Sequence, residues 1–151
     1  MKTLGNILWH FPFFGFLTAL VNFILGGLLM LTIIGAPIGS GLIQLAKFQL
    51  TPFSKTLIND KKLNKERNQL WDAYGTIVMI LYFPFGLVIA ILTVIQIAFL
   101  FITIVGIPVA IVLAKSLGTY FNPVNKKCVP EAVAKEIEKR EAEHEVSEYL
   151  N

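Results

Sequence analysis

The sequence predicts an all-α integral membrane protein: two tandem helical-hairpin repeats, about four membrane-inserted helices, with a short soluble helix at the C-terminus. Three observations lead there. Two long blocks carry no charge, the basic residues all fall outside those blocks, and the second block repeats the first.

The uncharged blocks come first because they set the class. No Asp, Glu, Lys or Arg occurs in the 44 residues from Thr3 to Ala46, nor in the 42 from Ala73 to Ala114. Hydrophobic residues make up 55% of the chain and charged residues 15%, with a mean hydropathy of +0.67, where a soluble domain carries about a quarter charged residues. A helix spanning either block would run roughly 63 to 66 Å at 1.5 Å per residue, about twice the 30 Å of a bilayer core. Each block therefore holds enough helix for two crossings, or for one crossing flanked by short interfacial pieces.

The basic residues support the same arrangement. The 13 Lys and Arg residues sort as Lys2, six from Lys47 to Arg67, and six from Lys115 to Arg140. If each block crosses twice, all of them fall on one face, as the positive-inside rule requires. If each crosses once, they divide seven against six. Four crossings with both termini and the central loop on the cytoplasmic side are expected, over the divisions 1–55 (first membrane repeat), 56–72 (basic loop), 73–128 (second membrane repeat) and 129–151 (charged helical tail).

The repeat is legible at a constant shift of 71 residues, gapless from Phe14 to Lys55. Phe14-Gly15 falls on Phe85-Gly86, Thr32-Ile33-Ile34-Gly35-Ala36-Pro37 on Thr103-Ile104-Val105-Gly106-Ile107-Pro108, and Pro52 on Pro123. Gly and Pro rarely coincide by chance in apolar sequence, so these matches weigh more than Leu on Ile. Phe11-Pro12 meets Phe83-Pro84 only after a one-residue slip.

Within each unit, Pro37 and Pro108 are expected to bend a helix by freeing the carbonyls of Ile33 and Ile104, with Thr32 and Thr103 close enough to help satisfy them. Gly35 with Gly39, and Gly106 with Ala110, are small-xxx-small pairs that let helices approach. Gly26-Gly27 marks the tip of the first hairpin, and the repeat puts the second beside Gln96. Asn22, Thr32, Gln96 and Thr103 are candidate polar positions inside the membrane blocks. Trp9, Trp71, Tyr74 and Tyr120 suit interfacial anchoring.

The doubled Thr-Ile-(Ile or Val)-Gly-x-Pro motif, each copy followed by a Pro-centred stop (Pro52-Phe53-Ser54 and Pro123-Val124-Asn125), together with Asn6-Ile7-Leu8-Trp9, resembles the YccF-type inner-membrane component domain of bacteria. The resemblance covers roughly Met1 to Cys128. It implies a small bacterial inner-membrane protein with two copies of that domain and no firmly assigned activity. Ala36 stands where the family motif tends to have isoleucine, and Ser54 and Asn125 where it tends to have glycine.

Catalysis and cofactors are not expected. His10 and His144 lie at opposite ends of the chain, Cys128 is the only cysteine, and neither block holds a carboxylate pair of the kind acid-base chemistry needs. Glu141, His144 and Glu148 share a helix face, but spacing of this kind arises easily in an acidic tail, and metal binding is not read from it. The tail from Pro130 to Leu150 reads as a solvated helix, with Pro130 and Glu131 suited to its start and Glu131–Lys135 and Glu136–Arg140 as i,i+4 pairs. The segment from Lys55 to Arg67 is basic enough to sit against anionic headgroups. The modest excess of positive charge does not call for nucleic acid. The expected partners are the lipid bilayer and either further copies of the chain or another membrane protein, in an accessory or structural role; the alternative is a homo-oligomeric channel or small-solute transporter.

Overall fold

The computed structural model describes residues 2–11, 13–63 and 69–150. Pro12 of the Phe11-Pro12 pair, and Lys65 and Arg67 of the basic segment, lie outside the described residues.

Among the described residues the chain is mostly helical, with one pair of short strands. Helix α1 (Lys2–His10) meets α2 (Gly15–Met30) at a bend of 75°. Helix α3 (Ala36–Leu50) folds back along α2, and strand β1 (Lys55–Asn59) leads into a short 3-10 turn at Asp60–Lys62. The second half holds α4 (Gln69–Ile102), a 3-10 turn at Ile104–Gly106, α5 (Ile107–Phe121), β2 (Lys126–Pro130) and α6 (Glu131–Tyr149). Among the described residues two helical stretches are long and apolar enough to cross a membrane, Gln69–Ile102 and Ile104–Phe121, and a third arises if bent α1 and α2 count together.

The hairpin tips fall later in the sequence than Gly26-Gly27 and Gln96 suggest. Both of those positions are inside helices, and the chain reverses at Leu31–Gly35 and Thr103–Gly106. Pro37 and Pro108 accordingly do not kink a helix: each occupies the first turn of one, α3 or α5. At that position a missing amide hydrogen costs nothing, because the first turn has no intrahelical acceptor for it. The threonines close the reversal. Thr32 Oγ1 donates to Leu29 O at 2.8 Å and accepts from the Gly35 amide at 3.0 Å, and Thr103 Oγ1 donates to Leu100 O at 3.0 Å. A turn bounded by apolar residues thus satisfies its own polar groups, as one surrounded by hydrocarbon must.

Gly26 allows the hairpin to close rather than turning it. A methyl group on Gly26 would meet Gly39 O at 2.8 Å, and one on Gly39 would meet Gly26 O at 2.5 Å, so α2 and α3 touch backbone to backbone there. This is the close approach expected of Gly39. Both Pro-centred stops end helices as expected, α3 at Thr51 and α5 at Asn122. Asn125 has φ 58°, a left-handed conformation that glycine takes freely and asparagine accepts better than other residues.

The two strands are absent from the all-α expectation. They pair antiparallel, with Lys55 opposite Pro130, Leu57 opposite Cys128 and Asn59 opposite Lys126. The boundary expected between 128 and 129 therefore runs through β2. The sheet lies against α3, where Gln44 Oε1 accepts the Cys128 amide at 3.1 Å. Because Cys128 sends its N–H to Gln44 and not across the sheet, Leu57 and Cys128 form the closer, non-hydrogen-bonded kind of pair. Leu57→Cys is expected to form a disulfide with Cys128 under mild oxidation, seen by mass spectrometry as a linked peptide pair; persistence of two free thiols would refute the register.

Two pairs of elements lie at the same offset in the chain. Helix α5 begins and ends 71 residues after α3, as β2 does after β1, the same 71 that separates the bonded pair Gln49 and Tyr120. One departure is plain: α1 and α2 are separate helices, whereas their counterparts form the single 34-residue α4 with Pro84 inside it. The apolar core sits where the halves meet, from Trp9, Leu45, Phe48, Val109, Val112 and Leu113.

Helix α6 packs on the sheet through buried Ala134. Its Arg140 pairs with Glu136 at 3.2 Å as expected, but Glu131 reaches Lys2 at 2.6 Å instead of Lys135. Lys62 pairs with Glu141 at 2.7 Å, and this hydrogen bond raises the Lys62 pKa.

Candidate functional site: a buried polar contact between the halves

A glutamine buried in a membrane protein demands partners, because an unpaired amide in apolar surroundings costs several kcal/mol. Gln49, near the end of α3, is 1% exposed. Its Oε1 accepts from Asn22 Nδ2 on α2 at 2.8 Å, and its Nε2 donates to Tyr120 Oη on α5 at 3.3 Å. Its backbone carbonyl takes the Trp9 Nε1 proton at 2.8 Å, while the neighbouring Leu50 carbonyl takes a proton from His10 Nε2 at 2.8 Å. The last carbonyls of a helix have no intrahelical donor; here α1 supplies two. In the second half Tyr82 Oη does the same for Tyr120 O at 3.2 Å.

This centre joins residues from α1, α2, α3 and α5, and it holds elements together. It contains no ionisable pair and no nucleophile beside a base. Among the described residues no group of three or more His, Cys, Asp or Glu side chains could hold a metal ion.

Residues 4–55 match the family model described as the YccF inner membrane component domain. The first third of the chain is similar to the YccF inner membrane component domain. No curated protein and no solved structure matches the chain.

The YccF match begins in α1 and ends where β1 starts, so the domain comprises α1, the α2–α3 hairpin and the turn that follows it. The Asn6-Ile7-Leu8-Trp9 segment gains a physical role from this geometry. Asn6 Oδ1 accepts the Phe53 amide at 3.1 Å and Asn6 Nδ2 donates to Ser54 Oγ at 3.3 Å, while Trp9 caps Gln49. The two polar positions clamp α1 onto the far end of α3.

Of the polar intramembrane candidates, only Asn22 enters this centre. Thr32 and Thr103 serve their own turns, and Gln96 is exposed on α4. The four do not converge within one chain. The aromatic anchors divide as well: Trp9 is 3% exposed and belongs to the core, and Tyr120 is tied to Gln49. Trp71 and Tyr74 pack against each other at 5.6 Å with Trp71 exposed, as an interfacial pair would. Ala110 is fully buried. Gln49 itself escaped the sequence reading; its signal was an amide 71 residues before Tyr120, the same offset that separates α3 from α5.

Beside the centre, on β2, burial pushes the Cys128 thiol up, against a smaller downward pull from Lys55 and Lys47. The folded chain therefore keeps its proton where the unfolded chain has lost it, and stability falls as pH rises from the unfolded thiol pKa to the folded one. Alkylation of Cys128 is expected to show its pH inflection above that of the denatured protein; coincident inflections would refute burial. Burial likewise lowers the Lys126 pKa, and the ammonium of Lys2 holds Glu131 below the usual carboxylate range.

Proposed function

We propose that the protein is a structural or accessory component of the bacterial inner membrane, without catalysis of its own, that associates with itself or with other membrane proteins. The observation that carries this reading is the surface of α2 and α4. Phe16, Leu20, Phe23 and Ile24 on α2, and Ile80, Phe85, Leu92 and Phe99 on α4, are all about half exposed or more, far beyond the apolar patch a soluble monomer tolerates. Such a surface needs lipid or protein against it, and the YccF domain in the first half fits that setting.

The reading extends to two copies of the domain, each returning to the side it came from, with both termini and the central segment at the cytoplasmic face. Several facts support it. The elements recur at the same offset, and the contacts that tie the halves together are reciprocal: the Asp60 amide donates to Asn125 O at 2.7 Å and the Glu131 amide to Ser54 O at 3.1 Å. The strand pairing keeps Lys55–Asn59 and Lys126–Pro130 on one side of any bilayer.

A homo-oligomeric channel is the second reading, favoured by one observation: Thr32, Gln96 and Thr103 are exposed, where another copy could meet them. Purification in mild detergent followed by mass measurement separates the two. A monomer, an oligomer that does not conduct, or a complex with a different membrane protein is expected for an accessory component. A closed ring that conducts ions when reconstituted alone would overturn it in favour of the channel.

A further inference from the structure

Helix α3 has charged or polar groups from the rest of the chain at its start, its middle and its end. At the start, Pro37, Ser40 and Gln44 line a cavity of about 180 Å³ whose other wall includes Asp60, Lys126 and Lys127, with Lys127 Nζ 3.5 Å from Asp60 Oδ1. Pro37 is two residues past the hairpin tip. In the middle, Gln44 holds the Cys128 amide. Past the end, Lys115 Nζ lies 3.4 Å from Pro52 O and 5.9 Å from the centre of the Phe53 ring.

A helix standing upright in a bilayer would carry one of these ends into or through about 30 Å of hydrocarbon. At 15 residues α3 is only about 22 Å long, and the cavity at its start is a small fraction of the core thickness. Charges around Pro37 and charges around Pro52 cannot then lie on opposite faces of the membrane, and neither set is stable at its centre.

The opposite face of the hairpin has the reverse character. Gly39 and Ile43 turn toward Gly26 on α2, away from the face that carries Pro37, Ser40 and Gln44. The remaining surface of α2 is apolar apart from Thr18 and Asn22, and the tip presents Leu31 at 84%, Ile33 at 84% and Ile34 at 65% exposure with no charge among them.

We propose that the first hairpin lies along the membrane surface within one leaflet, with α2 and the tip in acyl chains and α3 beneath a water-facing sheet, and does not cross the bilayer. Its partner is the lipid of a single leaflet, at the boundary between headgroup and hydrocarbon. The 75° bend between α1 and α2 and the self-satisfied Thr32 turn both serve that placement. The proposal rests on the membrane-component reading above and replaces two expected crossings with one in-plane insertion.

Depth measurement on the full chain tests it. In a Cys128→Ser background, Phe16→Cys and Met30→Cys mark the two ends of α2. Each is labelled with a small fluorophore and reconstituted into phosphatidylethanolamine–phosphatidylglycerol vesicles containing nitroxide lipids quenching either at the headgroup or at the chain end. The expected result is equal depth for both labels, to within about one helical turn of 5 Å. A difference of roughly 20 Å, the length between them along the helix axis, would overturn the in-plane placement. So would reaction of Ile33→Cys with an impermeant maleimide from the side opposite to Asn59→Cys. Leu17→Cys and Leu28→Cys form a second pair should a label at either helix end disturb the fold. Absence of quenching by every nitroxide lipid would be a different failure, removing the membrane reading itself and the proposal with it.

Discussion

Replacing Trp9 with alanine is expected to destabilise the protein by about 3–5 kcal/mol, the range for deleting a buried aromatic. The indole is 3% exposed, packs with Leu45, Phe48 and Val112, and donates its only proton to Gln49 O. Two losses add: apolar contact, and a helix-end carbonyl left without a donor in apolar surroundings. Trp9→Phe separates them, since it keeps most of the area and removes only the hydrogen bond, at a cost of about 1–3 kcal/mol. Thermal unfolding in detergent reads both. Equal, small shifts for the two variants would mean that Trp9 sits at an interface, as a lipid anchor would, and not in the core.

Gly39→Leu is expected to have the second large effect. The first side-chain carbon would already press on Gly26 O and the Met30 amide, and backbone cannot yield as a flexible side chain does. Overpacking of this kind costs about 1–3 kcal/mol and occasionally more; here the hairpin must open, and both Gly39→Leu and Gly26→Leu are expected to lower the melting temperature sharply. Gly27, one residue from Gly26, has nothing within 4 Å of the same atom. Gly27→Ala is therefore expected to be neutral or stabilising, by up to about 1 kcal/mol from helix propensity alone. A stabilised Gly39→Leu, or a Gly27→Ala as harmful as its neighbour, would refute the packing of α2 on α3.

The contrast between Gly26 and Gly27 also explains where sequence reasoning stopped short. A Gly-Gly pair in an apolar run reads equally well as a turn or as a place of close approach, and only the partner helix decides. The same ambiguity affects Pro37 and Pro108, since proline breaks a helix from within but begins one without penalty. Once the reversal is at Leu31–Gly35, only the second role is left. The hairpin units and the stops at Thr51 and Asn122 were legible because uncharged length and Pro position encode them locally.

The strands were not. Lys55-Thr-Leu-Ile-Asn is too short to carry a period, and Lys126-Lys-Cys-Val-Pro ends in a residue that interrupts sheets. Each becomes a strand only through the other, and that pairing lies outside any local window. The polar centre was half legible for the same reason: Asn22 stood out in an apolar block, whereas Gln49 gained meaning only when α2 and α5 closed around it.

The pairing of β1 with β2 has a consequence for biogenesis. On a ribosome adding roughly 5–20 residues per second, β1 emerges some 4 to 14 s before the segment that completes its sheet. Through that interval the nascent chain presents a bare strand edge beside a lipid surface, open to a neighbouring polypeptide. Exchange of this strand between two nascent copies would give an intertwined dimer from the same contacts that close the monomer, and slowing translation between the halves would favour it.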